Sequence, residues 1–335
     1  QLGQGGRTSD RNIIPTQVTF SGLASNAYIT KIAVGKAHVV ALDSDGNIWT
    51  WGDNTYGQLG DGTYGTSNVD KFVPRQVRIG QNESNTKLLT NIKYVAAGAN
   101  SSAAIDQDGL LYVWGNNDNG QLGVDGKIVA YPTLVEALKD NPATPNADET
   151  ILVSAVELSE SHTIIIDALT KRAYTWGKND HNQLGYQQSI LNNGKPMTSP
   201  STENYAKEAH LVTRDKGDLN FLEVASGKNH SVGIVIPASE AETATQGTVY
   251  AWGDNTYGQL GQNTSGSSSA VLQAVKKSNG ESITNAVAVA AADNYSLALT
   301  ADGIVYAWGD NTYGVMGNGT KGGIQKSAVA VAGVT

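Results

Sequence analysis

The chain has 335 residues and a formal net charge of −8, with 38 glycines, no cysteine and only 16% charged residues. The acidic balance argues against binding to a nucleic-acid backbone, which needs clustered Lys and Arg, and the lack of cysteine excludes disulfides, thiolate metal sites and a cysteine nucleophile. No stretch approaches the roughly 20 apolar residues of a membrane span. The many glycines and the low fraction of charged residues suit an all-β protein with many turns.

The first residues already belong to a repeated pattern. Gln1-Leu2-Gly3 matches the end of a motif that recurs further along, as at Gln58–Gly60, and no initiator Met precedes it. We therefore expect residues 1–30 to be a partial repeat, in which the run Ile13–Val18 supplies a closing strand. The start is expected to be a processed boundary or an internal point of a longer polypeptide.

Residues 31–80 show the full unit. Its four short apolar runs are Ile32–Gly35, His38–Leu42, Ile48–Gly52 and Phe72–Val77. The turn around Asp45 and Gly46 predicts a hairpin between the second and third runs, because Asp and Gly tolerate the positive φ of tight turns. Pro74 cannot donate to a sheet ladder, so the fourth run is expected at an outer edge.

The same four runs recur along the rest of the chain. The repeats are residues 31–80, 91–138, 151–212, 221–275 and 284–335. Four-stranded units that stack on their neighbours predict one β-propeller domain over residues 1–335, with five to seven blades and about five and a half repeats present. Polar insertions at 139–150, 186–220 and 237–247 are expected to be surface loops.

A Trp-Gly motif closes the third run of every repeat. The sequence Trp-Gly-Asp-Asn-Thr-Tyr-Gly occurs three times, and two looser copies share its Trp, Gly and Asn. The motif residues are Trp51, Gly52, Asn54, Gly57, Trp114, Gly115, Asn117, Trp176, Gly177, Asn179, Trp252, Gly253, Asn255, Trp308, Gly309 and Asn311. The favoured role is structural, because Gly permits the turn, Asn bonds the backbone and Trp fills the space between sheets.

Three motif tyrosines give the alternative. Tyr56, Tyr257 and Tyr313 occupy the same motif position, and as a set around a ring they would form a repeated binding surface. They are the candidate binding residues of this chain.

Metal and catalytic sites are not expected. His38, His162 and His230 hold the same place in three repeats, and imidazoles at one level of a ring would suit a metal, but a histidine bonded to a neighbouring turn is favoured. The Asp-rich turns at 43–47 and 106–109 lack the closing Glu of a calcium loop. Nucleophile-elbow, phosphate-loop and metalloprotease motifs are missing too, so no enzyme activity, metal or cofactor is expected.

The repeat resembles the regulator of chromosome condensation family. The matching residues in the fourth repeat are Ala225, Gly227, His230, Ser231, Tyr250, Trp252, Gly253, Asn255 and Gly258–Gly261. The resemblance covers essentially the whole chain and implies a β-propeller. The family's usual ring has seven blades, more than the five and a half repeats counted here, and a bacterial-type member is expected.

The resemblance implies a function carried by protein contacts. The favoured hypothesis is a non-catalytic interaction or structural module of a secreted or cell-surface prokaryotic protein, forming part of a larger chain or assembly. Its motivation is the acidic, cysteine-free, Asn- and Gly-rich composition. Its partner would be a protein, with self-assembly included. Two alternatives stay open: nucleotide exchange on a small GTPase, and carbohydrate binding through the motif tyrosines.

Overall fold

A computed structural model describes residues 2–3, 14–65, 71–80, 87–138, 150–186, 191–192, 195–196, 205–214 and 217–333. Five four-stranded antiparallel sheets follow one another along these residues. The prediction of an all-β propeller of four-stranded blades is confirmed, with about five blades present.

The first two sheets follow the chain without interruption. Sheet 1 contains β1 (Ile29–Val34), β2 (His38–Asp43), β3 (Ile48–Gly52) and β4 (Lys71–Gln76). Sheet 2 contains β5 (Ile92–Ala97), β6 (Ser101–Asp106), β7 (Leu111–Asn116) and β8 (Ile128–Leu134), and a short 3-10 helix at Glu136–Leu138 follows it.

Sheet 3 takes its fourth strand from beyond a long insertion. It contains β9 (Val153–Leu158), β10 (His162–Asp167), β11 (Ala173–Lys178) and β14 (Tyr205–Leu211). Two small hairpins flank β14, and they are formed by β12 (Leu191–Asn192), β13 (Lys195–Pro196), β15 (Thr213–Arg214) and β16 (Gly217–Asp218). The fourth strand of this repeat is therefore β14, which ends one residue before the predicted end of the repeat at residue 212.

Sheets 4 and 5 complete the series. Sheet 4 contains β17 (Asn220–Ser226), β18 (His230–Ile236), β19 (Thr248–Gly253) and β20 (Ser269–Ala274). Sheet 5 contains β21 (Ala286–Ala292), β22 (Tyr295–Thr300), β23 (Val305–Asp310) and β24 (Ile324–Ala330). The predicted loop 237–247 connects β18 to β19 and includes a 3-10 helix at Ala238–Glu240. Most of the predicted loop 139–150, like much of 186–220, lies outside the described residues.

The first strands of the sheets form the inner wall of the molecule. β1 packs on β5, β5 on β9, β9 on β17, and β17 on β21. Apolar side chains from neighbouring sheets meet between these layers, where Val95, Val156 and Trp114 are fully buried. The core is therefore a series of joints between sheets.

The segment before β1 covers part of sheet 1. Residues 14–28 form no strand, including the described part of the expected closing strand. Phe20 nevertheless meets Trp49 and Trp51 edge-on, with ring centroids 5.5 and 5.7 Å apart. A Cβ on Gly3 would lie 3.0 Å from Trp51 Nε1. Gly3, the last residue of the partial motif, therefore packs against Trp51 at the place where the motif of a preceding sheet would otherwise pack.

The series of sheets is open between sheet 5 and sheet 1. Ile32 on β1 is 58% exposed, whereas the residues at its position on the other first strands, such as Val95 and Val289, are at most 8% exposed. Leu299 on β22 is 37% exposed, against 4% for its counterpart Leu42. Within the described part of the chain, these two sheet faces lack the neighbouring sheet that covers their counterparts.

None of the helices among the described residues is long and apolar enough to cross a membrane.

Candidate binding face

The Trp-Gly motif turns the chain sharply at the end of each third strand. Gly52 has φ +112°, and a Cβ there would collide with the Ala37 carbonyl oxygen. The next residue, Asp53, donates its backbone N–H to that same carbonyl at 2.8 Å. The motif loop and the turn between the first and second strands therefore lie at the same end of each sheet. We call this end the loop face.

The motif asparagine closes the loop by two kinds of hydrogen bond. Asn54 Oδ1 accepts the Leu59 backbone N–H at 3.0 Å, and its Nδ2 donates to the Thr63 carbonyl at 2.9 Å. The other motif asparagines accept from the residue five positions later, at distances of 2.8 to 3.1 Å, and they are Asn117, Asn179, Asn255 and Asn311. The asparagine side chain thus makes the hydrogen bonds of a backbone turn.

The motif tryptophan joins its sheet to the preceding one. Trp252 Nε1 donates to the Gln183 carbonyl of sheet 3 at 3.0 Å, and a Cβ on Gly185 would lie only 2.5 Å from that nitrogen. Trp114 and Trp308 donate in the same way to the Gln58 and Gln259 carbonyls, at 2.9 and 2.8 Å. Trp176 occupies the same place, but its Nε1 has no partner among the described residues.

The recurrent histidine belongs to the same joints. His162 Nε2 lies 3.0 Å from Ser231 Oγ of the next sheet, and Ser231 Oγ in turn donates to the Gln183 carbonyl at 3.0 Å. Because the serine proton is used there, His162 carries its own proton on Nε2, and its Nδ1 accepts from Ser159 Oγ at 2.7 Å. Two further pairs repeat the contact at 3.0 and 2.8 Å, and they are His38–Ser102 and His230–Ser296.

Burial keeps these three histidines neutral. Desolvation lowers the pKa of His38 and of His230 to about 4 and that of His162 to about 3. Each ring is 0% exposed and lies in a separate joint. Within the described ranges, no group of three or more His, Asp or Glu side chains is placed to hold a metal ion.

The candidate tyrosines lie on the loop face but differ in exposure. Tyr313 is 84% exposed and Tyr257 37%, while Tyr56 is only partly exposed. The equivalent positions in sheets 2 and 3 hold Asn119 and His181, which use the same backbone hydrogen bond to the motif glutamine. The tyrosine side chain is therefore not needed for the loop to form.

A cavity of about 660 Å³ opens on the loop face. All five sheets line it with the ends of their first strands and the turns that follow, and the polar lining residues are Lys36, Glu157, Ser159, Glu160, Ser226, Lys228 and Asp293. The repeat pattern of the sequence did not point to this site. The available signal was Glu157, an acid in an apolar run, at a strand position where the four other sheets carry alanine.

Charged and aromatic side chains from four sheets meet below the cavity. The Lys31 ammonium lies 3.1 Å from the centre of the Tyr94 ring, and the Tyr94 hydroxyl is 3.4 Å from Glu157 Oε1. Glu223 Oε2 accepts the backbone N–H of Val289 on sheet 5 at 3.1 Å. These contacts join sheets 1, 2 and 3 to one another and sheet 4 to sheet 5.

Burial controls the charge of this group. Desolvation raises the pKa of Glu157 to about 7, although the Lys31 ammonium opposes the shift. Desolvation also raises the pKa of Glu223 and lowers that of Lys31, in each case against the attraction between the opposite charges.

A model of the RCC1-like domain family matches residues 1–334. Similar proteins include the X-linked retinitis pigmentosa GTPase regulator homolog of Caenorhabditis elegans, 29% identical over 88% of this chain and 20% of its own length. Another is the guanine nucleotide exchange factor SRM1 of Saccharomyces cerevisiae, 27% identical over 67% of this chain and 41% of its own. This chain thus spans about a fifth of the worm relative and about two fifths of the yeast one.

Among solved structures, that of human WBSCR16 matches with a TM-score of 0.67 and 19% identity, covering 91% of this chain and 67% of the other. At that identity the likeness shows the fold alone.

Proposed function

The chain belongs to the RCC1-like domain family, and we propose that it is a non-catalytic interaction module that binds a protein partner through its loop face. The observation that carries this proposal is that some motif residues are buried in structural contacts while others are exposed. The tryptophans, asparagines and glycines are used inside the joints and loops, whereas Tyr257, Tyr313 and the cavity lining are left facing outward. Exposed aromatic side chains are favoured anchors at protein interfaces.

A site-specific photocrosslinker tests the proposed face. A crosslinking amino acid at Tyr313 should capture the partner in cells that express the protein. The control is Leu169, which is 67% exposed in the turn between β10 and β11, at the opposite end of the sheets. Equal capture from both positions, or capture from Leu169 alone, would rule out the loop face.

Regulation of a small GTPase by nucleotide exchange is the second candidate. It is favoured by the matches to a GTPase regulator homolog and to a guanine nucleotide exchange factor. The test is the release of a fluorescent guanine nucleotide from purified small GTPases. Accelerated release would establish exchange, binding without acceleration would support a simple interaction module, and neither would remove this candidate.

Carbohydrate binding through Tyr257 and Tyr313 remains a third candidate, favoured by their exposure. A glycan array on which the wild-type protein and a Tyr257→Ala, Tyr313→Ala variant give the same signals would eliminate it.

We also propose an extracellular or cell-surface setting in a prokaryote, as part of a larger chain or assembly. The cysteine-free, acidic composition supports the setting, and the much greater length of the worm relative supports the larger chain. The relatives described above are eukaryotic. Protease treatment of intact cells, followed by detection of this chain, separates surface exposure from an internal location.

A further inference from the structure

The cavity on the loop face has the size and lining of a ligand site. Its volume of about 660 Å³ lies within the range of small-molecule and side-chain pockets. Its wall is made by the ends of the first strands and the short turns that follow them, from all five sheets.

Glu157 is the partly buried carboxylate in the lining of this cavity. Its carboxylate has one described hydrogen bond, the long contact of 3.4 Å from the Tyr94 hydroxyl to Oε1. The nearby Lys31 ammonium is held over the Tyr94 ring. A half-buried carboxylate with few hydrogen bonds is costly unless a positive charge approaches it.

The pKa of Glu157 agrees with this shortage. Desolvation raises it to about 7 even though Lys31 lies close enough to lower it. The lysine is shared with Glu223, whose pKa is raised as well. The two carboxylates, those of Glu157 and Glu223, thus outnumber the single Lys31 ammonium that faces them.

A second observation is the balance of charge around the cavity. Its lining carries two lysines, Lys36 and Lys228, and three acids, Glu157, Glu160 and Asp293. At the rim, the positive charge of Lys228 is paired with Glu160 at 3.5 Å, while Lys36 and Asp293 offset each other in sign. The lining therefore carries one negative charge in excess when Glu157 is ionised.

We propose that the cavity binds a cationic group at the end of an alkyl chain, an ammonium or a guanidinium, with Glu157 as its carboxylate partner. This rests on the proposed function, because a lysine or arginine side chain of a protein partner supplies such a group. A free diamine carries the same chemistry, and the experiment separates the two sources.

Calorimetric titration of the whole chain tests the proposal with capped lysine, capped arginine and putrescine. Neutral controls of similar shape are capped norleucine and capped citrulline. The cations should bind and the neutral probes should not. At pH 7 binding should release protons, because a cation favours the ionised form of Glu157, and the measured heat should then depend on the buffer.

The variant Glu157→Gln should weaken binding by at least about tenfold, as expected for loss of a desolvated charge partner. The matched control is Glu160→Gln, which removes the same charge from the exposed rim of the same sheet and should change the affinity by less than about threefold. Thermal melting of both variants verifies that they are folded. Capped amino acids that bind more tightly than putrescine indicate a protein side chain, and the reverse order indicates a free amine.

The proposal fails if no cationic probe binds saturably at millimolar concentration, or if Glu157→Gln binds like the wild type. The protein partner provides an independent control. Crosslinking through Tyr313 that persists in Glu157→Gln, together with absent cation binding, would leave the loop face standing as an interaction surface and overturn only the cavity.

Discussion

Glycine and asparagine shape the motif loop through backbone geometry. The last motif glycine, Gly185, has φ +66° and lies against the Trp252 indole. Gly185 is thus required both for its left-handed backbone conformation and for its close contact with the indole. The Trp-Gly and Gly-Gln-Leu-Gly spacing predicts the turn, but the contact could not be predicted because its partner lies in the following repeat.

A pair of alanine substitutions separates these two roles. Gly185→Ala should lower the free energy of unfolding by more than Gly280→Ala, because both sites have positive φ but only Gly185 has a neighbour, Trp252 Nε1, 2.5 Å from the new Cβ. The strain of positive φ costs about 1–2 kcal/mol in both variants. The overpacking should add about 1–3 kcal/mol in Gly185→Ala alone.

Denaturant unfolding of the two variants measures the difference. Equal losses would mean that the Trp252 indole moves aside at little cost.

Joints between neighbouring sheets are the next level of organisation. The joints that contain His38, His162 and His230 share one arrangement. A tryptophan N–H and a serine hydroxyl donate to one glutamine carbonyl, and the neutral imidazole bonds to that serine. Sequence reasoning predicts a histidine bonded to a neighbouring turn, and His162 makes such a bond to Ser159. All three histidines also bond a serine of the following sheet, which no local pattern specifies.

These joints should weaken in acid. The pKa of His162 is 6.5 in the unfolded chain and about 3 in the folded protein. The unfolded chain therefore binds more protons below pH 6.5, and the free energy of unfolding decreases as the pH is lowered. From pH 7 to pH 5 the loss should be about 2 kcal/mol for this one histidine. Glu157, whose pKa rises from 4.5 to about 7, acts in the opposite sense over that interval.

The free energy of unfolding at pH 7 and pH 5 isolates this contribution. His162→Gln should reduce the loss on acidification. If His162→Gln shows the wild-type loss, the acid sensitivity does not arise at His162.

At the scale of the whole molecule, five sheets surround a common cavity and leave one side open. Sheet 5 presents Leu299 at 37% exposure where sheet 1 buries Leu42 to 4%. The repeat count predicted about five and a half units, and the five complete sheets agree with it. The exposure of this face depends on which neighbours are present, and a repeat pattern does not reveal that.

Two leucine substitutions at the same repeat position test the open side. Leu42→Ala should cost about 2–5 kcal/mol of unfolding free energy, as for a buried leucine. Leu299→Ala should cost clearly less, at most about 1 kcal/mol, because its side chain is partly in water already. Similar losses, measured in dilute protein by denaturant unfolding, would mean that a further sheet or a second molecule covers sheet 5 in solution.

The sequence by itself determined the repeated unit, its strands and its turns. These follow from neighbouring residues: alternating apolar runs fit a half-buried strand, Asp-Gly and Trp-Gly fit the turns, and Pro74 marks an outer edge. The role of the motif asparagine was also predictable, since it bonds the backbone of its own loop.

Only the tertiary structure decided where unlike residues of different repeats meet. Lys31, Tyr94, Glu157 and Glu223 are 192 positions apart from first to last in the numbering of the chain, and they face one another because five first strands share one inner wall. The desolvation that raises the pKa of Glu157, and the exposure of Leu299, depend on all of the surrounding sheets together. The pKa and the exposure of a side chain arise from packing across repeats, so they cannot be predicted from the pattern within one repeat.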